Sequence, residues 1–344
     1  MSISLRNLTK SFAGKPAVDG VSAEIERGEF FAIVGASGCG KSTILRLIAG
    51  LEELDAGEIA LGGVPAAGAG LHQPPEERRT GFVFQSYALW PHLSVRGNVA
   101  FPAETAGHSR AEAARRADAH LDTVALGDFA ERKPAELSGG QRQRVALARC
   151  LAQEAETILM DEPLANLDPH LREVMEEELL GFHRATGATT VYITHDQREA
   201  MAVADRMAVM SAGRFLQVGT PAEIYERPAS AEVARFIGQG VVQPVTIQGG
   251  VARLAGRRVA LRGMEAASGP REALFRPADL VPGAEGLEEC HAGRVTAALY
   301  RGGHWEAKVA VEGLVDPFTL HLNRPVRAGE GLSLAVRGGW LLPG

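Results

Sequence analysis

The sequence predicts an α/β protein followed by a smaller, β-rich domain. Short apolar runs alternate with helical patterns between residues 157 and 210, which is typical of a largely parallel sheet with helices on both faces. After residue 240 only short β-type runs broken by glycines remain, which predicts a small barrel or sandwich. The length of 344 residues corresponds to about two domains at roughly 150 residues each. We expect these domains to span 1–238 and 239–344.

The N-terminal elements lead directly into a glycine-rich loop. Turn-forming residues divide the first 34 residues into three predicted strands, over 2–8, 21–25 and 29–34. The last strand runs into GASGCGKST, and an apolar helix is predicted over 44–49. The Ala- and Gly-rich stretch at 62–70 is predicted to be a loop.

Periodicity predicts the remaining elements. The first domain should continue with helices over 109–126 and 139–153, then strands over 157–160, 189–194 and 207–210 with helices over 169–186 and 198–204. The second domain should contain strands over 241–247, 257–261, 272–276, 293–300, 306–311, 318–322 and 332–336. No internal repeat interrupts this order.

Composition excludes several classes of protein. Hydrophobic residues make up 45% and charged residues 23% of the chain, which excludes a disordered tail and a collagen-like repeat. No apolar run reaches the roughly 20 residues of a membrane-spanning helix, and the N-terminus lacks the layout of a secretory signal. Three scattered cysteines form no CxxC pair, and a net charge of −6 argues against bulk electrostatic binding to nucleic acid. We therefore expect a cytoplasmic protein.

The segment GASGCGKS, residues 35–42, fits the phosphate-loop pattern GxxxxGK[ST] in its required place between a strand and a helix. Glycines let backbone N–H groups turn inward around phosphates, and the following helix directs its positive end at the same anion. The ammonium group of Lys41 would reach the β- and γ-phosphates, and the Ser42 hydroxyl would bind Mg²⁺. A phosphate site is therefore predicted here.

The segment ETILMDEP, residues 156–163, predicts a short apolar strand that ends in two carboxylates. Asp161 would hold Mg²⁺ at the strand's C-terminal end, and Glu162 would polarise an attacking water. Taken alone, the pair could be a solvated strand end. The phosphate loop upstream favours the metal and water roles.

The segment LSGGQRQR, residues 137–144, opens the predicted helix 139–153. Ser138, Gly139 and Gly140 offer a hydroxyl and unobstructed backbone donors at a helix N-terminus, which makes a second anion cradle. The alternative is a capped helix start with Ser138 as the N-cap.

Together these motifs resemble the nucleotide-binding subunit of ATP-binding cassette (ABC) transporters. The resemblance covers about residues 3–237 and includes GASGCGKS, Gln85, LSGGQ, ILMDEP, ANLD and His195 in the family's order. LSGGQ separates this family from kinases, GTPases and helicases. The resemblance implies a phosphate-loop ABC ATPase fold with a mixed sheet, a helical subdomain at about 86–153, and binding of ATP and Mg²⁺.

The resemblance also assigns roles to single residues. Phe12 matches the aromatic residue that stacks on adenine, with core packing as the alternative. Gln85 matches the glutamine that contacts Mg²⁺ and the attacking water. His195 matches the histidine that contacts the γ-phosphate, and Asp168 matches the aspartate that crosses the dimer interface. Glu162 is the implied general base. The implied catalytic residues are Glu162, His195, Lys41 and Gln85, the Mg²⁺ ligands are Ser42, Gln85 and Asp161, and the ATP contacts are Phe12, Gly35, Ala36, Ser37, Gly38, Cys39, Gly40, Lys41, Ser42, Thr43, Gln85, Ser138, Gly140, Gln141 and Asp168.

In the family, two copies pair head to tail, and ATP on the loop of one copy is clamped by Ser138, Gly140 and Gln141 of the other. Hydrolysis lets the dimer open, and this two-state closure can drive a membrane permease. The segment from Gln85 to Val95 matches the permease contact. The implied location is peripheral, on the cytoplasmic face of the inner membrane, with a solute-binding protein as an indirect partner and no nucleic acid.

The second domain favours an importer. Residues 241–344 resemble the transport-associated OB-fold domain, and LFRPADLVP at 274–282 matches its RP motif. The segment ARFIGQGVVQPVTI is closest to the ferric-iron and phosphonate branch, so ferric iron is the leading expected cargo. Polyamine, phosphonate, sugar and thiosulfate or sulfate are the alternatives.

A soluble ABC ATPase acting on nucleic acid or the ribosome is the alternative of another class, because OB folds bind oligonucleotides. Such proteins commonly carry two cassettes or a long coiled-coil insertion, and this sequence has neither. Residues 241–344 also carry 12 basic and 10 acidic residues without a basic, aromatic-rich strand. A non-catalytic cassette is disfavoured because every catalytic position is filled.

Overall fold

The computed structural model describes residues 1–165, 169–265, 267–283 and 290–343, and for residues 169–171 it describes the backbone alone. The chain divides into two compact units, Met1–Pro221 and Ala222–Gly344. The second unit therefore starts earlier in the chain than the predicted domain 239–344.

The first unit begins with an antiparallel sheet of order β2-β1-β4-β5-β6. Its strands are β1 (Ile3–Phe12), β2 (Lys15–Ile25), β4 (Ala56–Leu61), β5 (Val64–Gly68) and β6 (Leu71–His72). The first two predicted strands are present but longer, because pairing continues to Phe12 and Lys15 beside the hairpin turn. The loop predicted at 62–70 is wrong, since Ala66 and Ala67 of β5 are buried in the core and only the turns at 62–63 and 69–70 lie outside the strand.

The second sheet of this unit has the order β11-β10-β3-β9-β8-β7. Its strands are β3 (Phe30–Val34), β7 (Thr80–Val83), β8 (Thr157–Asp161), β9 (Thr189–Thr194), β10 (Arg206–Ser211) and β11 (Arg214–Gly219). The pairs β10-β3, β3-β9, β9-β8 and β8-β7 are parallel, and β11 is antiparallel to β10. The prediction of a largely parallel sheet is confirmed. The loops after β3, β8 and β9 thus leave the sheet at one edge, where α/β proteins place ligands.

Eight α-helices are described. They are α1 (Lys41–Ala49), α2 (Val95–Thr105), α3 (Arg110–Thr123), α4 (Gly139–Ala152), α5 (Pro169–Thr186), α6 (Gln197–Val203), α7 (Pro221–Glu226) and α8 (Ala231–Phe236). Short 3₁₀ turns lie at Pro75–Glu77, Gly127–Phe129, Pro134–Glu136 and Pro277–Asp279. Among the described residues no helix has the length and apolar character needed to cross a membrane.

Helices α2, α3 and α4 form the expected helical part around a core of their own. Val95, Val99, Ala117, Leu121 and Val145 meet in this core. The sequence analysis did not predict α2, because a proline inside the helix and an early glycine disfavour helix on propensity alone. Packing of the apolar face against α3 and α4 overrides that propensity.

The second unit contains two antiparallel sheets, with orders β14-β13-β12-β15-β21 and β16-β20-β17-β18-β19. The strands are β12 (Val241–Gln248), β13 (Val251–Leu254), β14 (Arg257–Val259), β15 (Gly269–Phe275), β16 (Leu280–Pro282), β17 (Cys290–Tyr300), β18 (Trp305–Val311), β19 (Phe318–Leu322), β20 (Gly331–Val336) and β21 (Trp340–Leu341). Both sheets contribute to one core that includes Val245, Phe275, Val309, Phe318 and Leu334. The prediction of an all-β, barrel-like domain is confirmed, and β13, β16 and β21 were missed because they are short.

Arg276, from the RP motif, explains why α7 and α8 belong to the second unit. Its guanidinium donates to the carbonyls of Ile237, Gln239 (3.1 Å) and Tyr225 (2.9 Å). It also lies 4.1 Å from the centre of the Tyr225 ring, within cation–π range. This buried side chain thus bonds the C-terminal ends of α7 and α8 to the start of the barrel, in agreement with their place in the second unit.

Candidate active site

The phosphate loop connects β3 to α1 and packs tightly against neighbouring strands. Gly40 has φ 110° and serves as the N-cap of α1, and a Cβ atom there would lie 2.0 Å from the Ala17 carbonyl oxygen. A Cβ atom on Gly35 would lie 2.2 Å from the Met210 carbonyl oxygen. Side chains at these two positions would collide with backbone, so the loop conformation requires glycine. Residues 36–39 complete the loop, and Ser42 and Thr43 lie in the first turn of α1.

Lys41 is the first residue of α1 and is only 4% exposed. Its Nζ donates to the carbonyl oxygens of Gly35 (2.9 Å) and Ala36 (3.1 Å), which holds the ammonium group at the loop. The first turn of α1 contains no acidic residue, so nothing in that turn offsets the positive helix end. Burial raises the pKa of the neighbouring Cys39 thiol, although Lys41 opposes the shift. The loop therefore concentrates positive potential where a phosphate would lie.

Asp161 ends β8 and accepts a hydrogen bond from Ser42 Oγ at 3.1 Å. Burial raises the pKa of Asp161, and the nearby Glu162 charge raises it further, although the Ser42 hydrogen bond opposes the shift. A hydroxyl and a poorly neutralised carboxylate that converge in this way are hard oxygen ligands of the kind Mg²⁺ prefers. The residues present therefore fit the predicted metal.

Glu162 and His195 follow the ends of the adjacent parallel strands β8 and β9. Their side chains meet, with His195 Nδ1 3.1 Å from Glu162 Oε2. Glu162 has φ 45°, a left-handed conformation that is rare outside glycine, and its N–H donates to the Ile193 carbonyl at 3.0 Å. Strain of this kind clusters at functional sites, and here it is held by the next strand.

Gln85 is exposed in a turn just after β7. Tyr87 and Ala88 follow with φ 62° and 44°, and buried Arg149 of α4 donates to their carbonyl oxygens at 3.0 and 2.7 Å. The Tyr87 hydroxyl donates to the Pro163 carbonyl at 3.3 Å. These bonds bring the turn that carries Gln85 against the chain just beyond Glu162. Sequence reasoning missed Arg149, because its partners lie about 60 residues away in the chain.

The helical part forms one wall of a groove of about 970 Å³ next to this turn. Trp90 and Phe101 stack with ring centres 4.2 Å apart, and Arg149 lies 5.1 Å from the Trp90 ring centre. Phe82 and Phe84 line the same groove. The segment after Gln85 thus borders an open, aromatic-lined surface.

Ser138 is the N-cap of α4 and forms a capping box with Gln141. Gln141 N–H donates to Ser138 Oγ at 3.3 Å, and Ser138 N–H donates to Gln141 Oε1 at 2.9 Å. The capped helix start is therefore present, and Gly140 is buried in the first turn. A role as a second anion cradle stays a prediction, because it requires another copy of the chain.

Phe12 ends β1 with 45% of its surface exposed, which argues against the core-packing alternative. Lys10 Nζ lies 5.4 Å from the centre of its ring. The ring is thus available to stack on a flat partner. Asp168, assigned to the dimer interface, lies outside the described residues.

Comparisons with known proteins agree with this geometry. Residues 18–165 match a family model described as ABC transporter. The chain is 43% identical to the sn-glycerol-3-phosphate import ATP-binding protein UgpC 1 of Rhizobium johnstonii, over 97% of this chain and 91% of the relative. It is 41% identical to the sulfate/thiosulfate import ATP-binding protein CysA of Rhodopseudomonas palustris, over 97% of each chain.

One further relative and one solved structure also match this chain. The Fe(3+) ions import ATP-binding protein FbpC of Rhizobium etli is 41% identical over 90% of this chain and 88% of the relative. Among solved structures, a dimeric post-hydrolysis state of the ATP-binding cassette MJ0796 bound to ADP and Pi matches with a TM-score of 0.57 and 33% identity. That match covers 64% of this chain and 98% of the other.

Proposed function

The chain belongs to the ABC transporter family and is an ABC ATPase, and on that premise we propose that it powers solute import in a binding-protein-dependent transporter. One observation carries the proposal. The phosphate loop, the Ser42–Asp161 pair and the Glu162–His195 pair converge at the edge formed by β3, β8 and β9. Phosphate binding, metal binding and activation of water are the three tasks of phosphoryl-transfer catalysis, and these groups match them.

ATP binding is assigned to Phe12 and the phosphate loop. Adenine would stack on the exposed Phe12 ring, and stacking of a base on an aromatic side chain typically contributes about 1–3 kcal/mol. The triphosphate would lie on the backbone of residues 35–43 at the N-terminus of α1. Lys41, which is already held at the loop, would exchange its carbonyl partners for phosphate oxygens.

Hydrolysis is assigned to the groups at the strand ends. Glu162 would orient the attacking water and accept its proton, and His195 would hold the γ-phosphate. Ser42, Asp161 and Gln85 would hold Mg²⁺, which when bound neutralises charge on the phosphates. The hydrogen bond between His195 and Glu162 brings the two side chains together before substrate arrives.

A second copy of the chain would complete the site head to tail. Ser138, Gly140 and Gln141 of one copy would contact the ATP on the loop of the other, and Asp168 would cross the interface. The solved relative is a dimeric cassette, which supports this arrangement. ATP would thus hold the two copies together, and its hydrolysis would release them.

The membrane partner is assigned to the groove beside the segment from Gln85 to Val95. Its aromatic lining and open shape fit a permease loop, and Arg149 links the groove wall to the turn that carries Gln85. We place the protein on the cytoplasmic face of the inner membrane as a peripheral subunit. A solute-binding protein would be an indirect partner.

The cargo is assigned by class alone. Relatives at 43%, 41% and 41% identity are named for import of sn-glycerol 3-phosphate, sulfate or thiosulfate, and Fe(3+). Because near-equal similarity accompanies three different cargoes, overall similarity does not distinguish among them. Ferric iron, the leading expectation from the sequence, therefore stands beside these anionic solutes, and the binding protein decides among them.

Purification of the intact complex tests the proposal. The tagged chain would be isolated from its native membranes in mild detergent, and its associated subunits would be reconstituted into vesicles. ATPase activity that rises when the solute-loaded binding protein is added supports the proposal, with Glu162→Gln as the inactive control. ATPase activity stimulated instead by single-stranded DNA or ribosomes would favour the alternative of a nucleic-acid ATPase.

A further inference from the structure

A closed ring of bonds surrounds the backbone on both sides of His195. Thr194 Oγ1 donates to Glu199 Oε2 at 2.6 Å and accepts a hydrogen bond from the Asp196 N–H at 3.0 Å. Arg172 Nη1 donates to Asp196 Oδ2 at 3.0 Å, and Arg172 Nε lies 3.3 Å from Glu199 Oε1. The residues before and after His195 are thus tied to the same Glu199–Arg172 pair.

Glu199 is an unusual residue to find at this depth. It is 3% exposed on α6, and a buried carboxylate is costly unless it is paired and fully hydrogen-bonded. Its Oε2 accepts from Thr194 and also from the Tyr192 hydroxyl at 2.8 Å, while Oε1 faces Arg172. An apolar residue would fill this position at lower cost to folding, so the carboxylate calls for a functional explanation.

Few contacts hold the His195 side chain in place. Its side chain is 56% exposed, and its described hydrogen bond is the one to Glu162. The backbone at Thr194 and Asp196 therefore decides where the imidazole points. That backbone cannot shift without breaking a buried, charge-assisted bond of the ring, and such bonds are stronger than neutral ones.

We propose that Glu199 and Arg172 are positioning residues that set His195 for catalysis and tie its position to α5. The inference rests on the proposed function, in which His195 holds the γ-phosphate. Arg172 lies in the first turn of α5, four positions after Asp168, the residue assigned to the dimer interface. The ring therefore connects α5 to the histidine, and a shift of α5 on dimer closure would move His195 with it.

Two substitutions break the ring while keeping size and polarity. Glu199→Gln keeps the size of the side chain, but its single uncharged oxygen can face either Thr194 or Arg172 and not both. Arg172→Lys keeps the charge but replaces a fork that bridges two carboxylates by a single point charge. We expect kcat for ATP to fall about tenfold in each variant, since small misplacements of a catalytic group have effects of this order or larger. KM should change by less than about twofold, because His195 rather than the phosphate loop is displaced.

Tyr192→Phe is the matched control. It removes a hydrogen bond to the same Glu199 oxygen, but Tyr192 is not part of the ring around His195. Its kcat should equal that of the wild type even if its melting temperature falls. Equal loss of kcat in all three variants would show a general structural effect and would overturn the inference.

A double-mutant cycle with His195→Ala separates positioning from folding. If Glu199 and Arg172 act through His195, their substitution in the His195→Ala background should lower kcat by less than about twofold more. A full, additive loss in that background would overturn the inference. If Glu199→Gln does not fold, the milder Arg172→Lys carries the same cycle.

The outcomes also distinguish the inference from the proposed function. Wild-type kcat in His195→Ala alone would remove the assigned role of the histidine. A large loss in His195→Ala together with wild-type kcat in folded Glu199→Gln and Arg172→Lys would leave the proposed function intact and overturn only the positioning role.

Discussion

His195 Nδ1 lies 3.1 Å from Glu162 Oε2, although 33 positions separate the two residues in the chain. The parallel pairing of β8 with β9 explains the contact, because Asp161 pairs with Ile193 and the chain continues past both strands at the same edge. The contact joins the expected general base to the expected γ-phosphate ligand. The parallel pairing of β8 with β9 thus brings the Glu162 and His195 side chains together.

Glu162→Gln should keep ATP binding and lose hydrolysis. The amide preserves the size of the side chain and can still bond to His195, but it cannot accept a proton from water. We expect kcat to fall at least about a hundredfold with little change in ATP affinity, and the two-copy complex should persist with ATP. An ATPase assay measures the loss of turnover, and gel filtration with Mg·ATP measures the persistence of the two-copy complex. Wild-type turnover in this variant would remove Glu162 from the mechanism.

Asp161→Asn should have opposite effects on ligand binding and on stability. The variant should lose the rise in melting temperature that Mg²⁺ adds to that of ATP, and EDTA should have the same effect on the wild type. In metal-free buffer at pH 7 the variant should melt higher than the wild type. Burial raises the pKa of Asp161, so its charged form opposes folding above its ordinary titration range.

The pH dependence of this difference provides its own check. The folded wild type binds the Asp161 proton more tightly than the unfolded chain does. As pH falls toward the ordinary titration range of a carboxyl group, the free energy of unfolding of the wild type therefore rises relative to that of the variant. The advantage of Asp161→Asn should therefore shrink on acidification. Melting curves from pH 7 to pH 5 without metal measure it, and a growing advantage would contradict the assignment.

Phe12→Ala should raise KM for ATP about tenfold and change kcat little, because the ring contacts the base and not the reacting phosphate. Phe12→Tyr should restore the wild-type KM, since it keeps the aromatic face. Val64→Ala, which shortens another exposed apolar side chain, is the control and should leave KM unchanged. An unchanged KM in Phe12→Ala would show that the adenine binds elsewhere.

Gly40→Ala should lower stability and abolish ATP binding together. The new Cβ would lie 2.0 Å from the Ala17 carbonyl oxygen, and the residue would also keep an unfavourable φ of 110°. Gly14→Ala tests strain without the clash, because its φ is 78° and no atom lies within 4 Å of the added carbon. We expect about 1–2 kcal/mol of destabilisation from Gly14→Ala with normal ATP binding. Equal ATP affinity in both variants would contradict the loop geometry.

Arg276→Met should destabilise the second unit by about 3 kcal/mol, because three carbonyl groups lose a charged donor in a buried place. Denaturant unfolding with the tryptophans of that unit, Trp305 and Trp340, as reporters measures the effect. Arg324→Met is the control. Its partner Glu330 lies on the surface of the same unit, so the change should stay within about 0.5 kcal/mol. Equal denaturant midpoints for Arg276→Met and the wild type would mean that Arg276 of the RP motif has no structural role.

The sequence identified the candidate residues for nucleotide chemistry more readily than the residues that hold them in position. Lys41, Ser42, Asp161 and Glu162 lie in short motifs whose neighbours define their geometry, so local pattern was sufficient. Arg172 and Glu199 contribute through partners on different helices and strands, and no local pattern marks such a pair.

The fold shows the same division. Strands β3, β8, β9 and β10 were predicted because each is a largely apolar run that must be buried on both faces, whereas β7 and β11 of the same sheet were missed. Strand β5 and helix α2 were also missed, since Ala, Gly and Pro carry weak or contrary propensities there and tertiary packing decides their conformation. Sequence alone therefore predicts residues that are constrained locally and misses those constrained by distant neighbours.

In the proposed head-to-tail dimer, the capping box at Ser138 would influence how quickly the two copies separate. In the single chain, Ser138 and Gln141 already satisfy each other, so contact with a partner's nucleotide replaces existing hydrogen bonds instead of adding new ones. Such an exchange yields only a small net gain, of the order of 1 kcal/mol per bond. In the proposed dimer the two surfaces would therefore adhere weakly until a triphosphate is present on both, and they would separate readily once it is cleaved. The hydrogen bonds that would make the dimer reversible are thus already present in the single subunit.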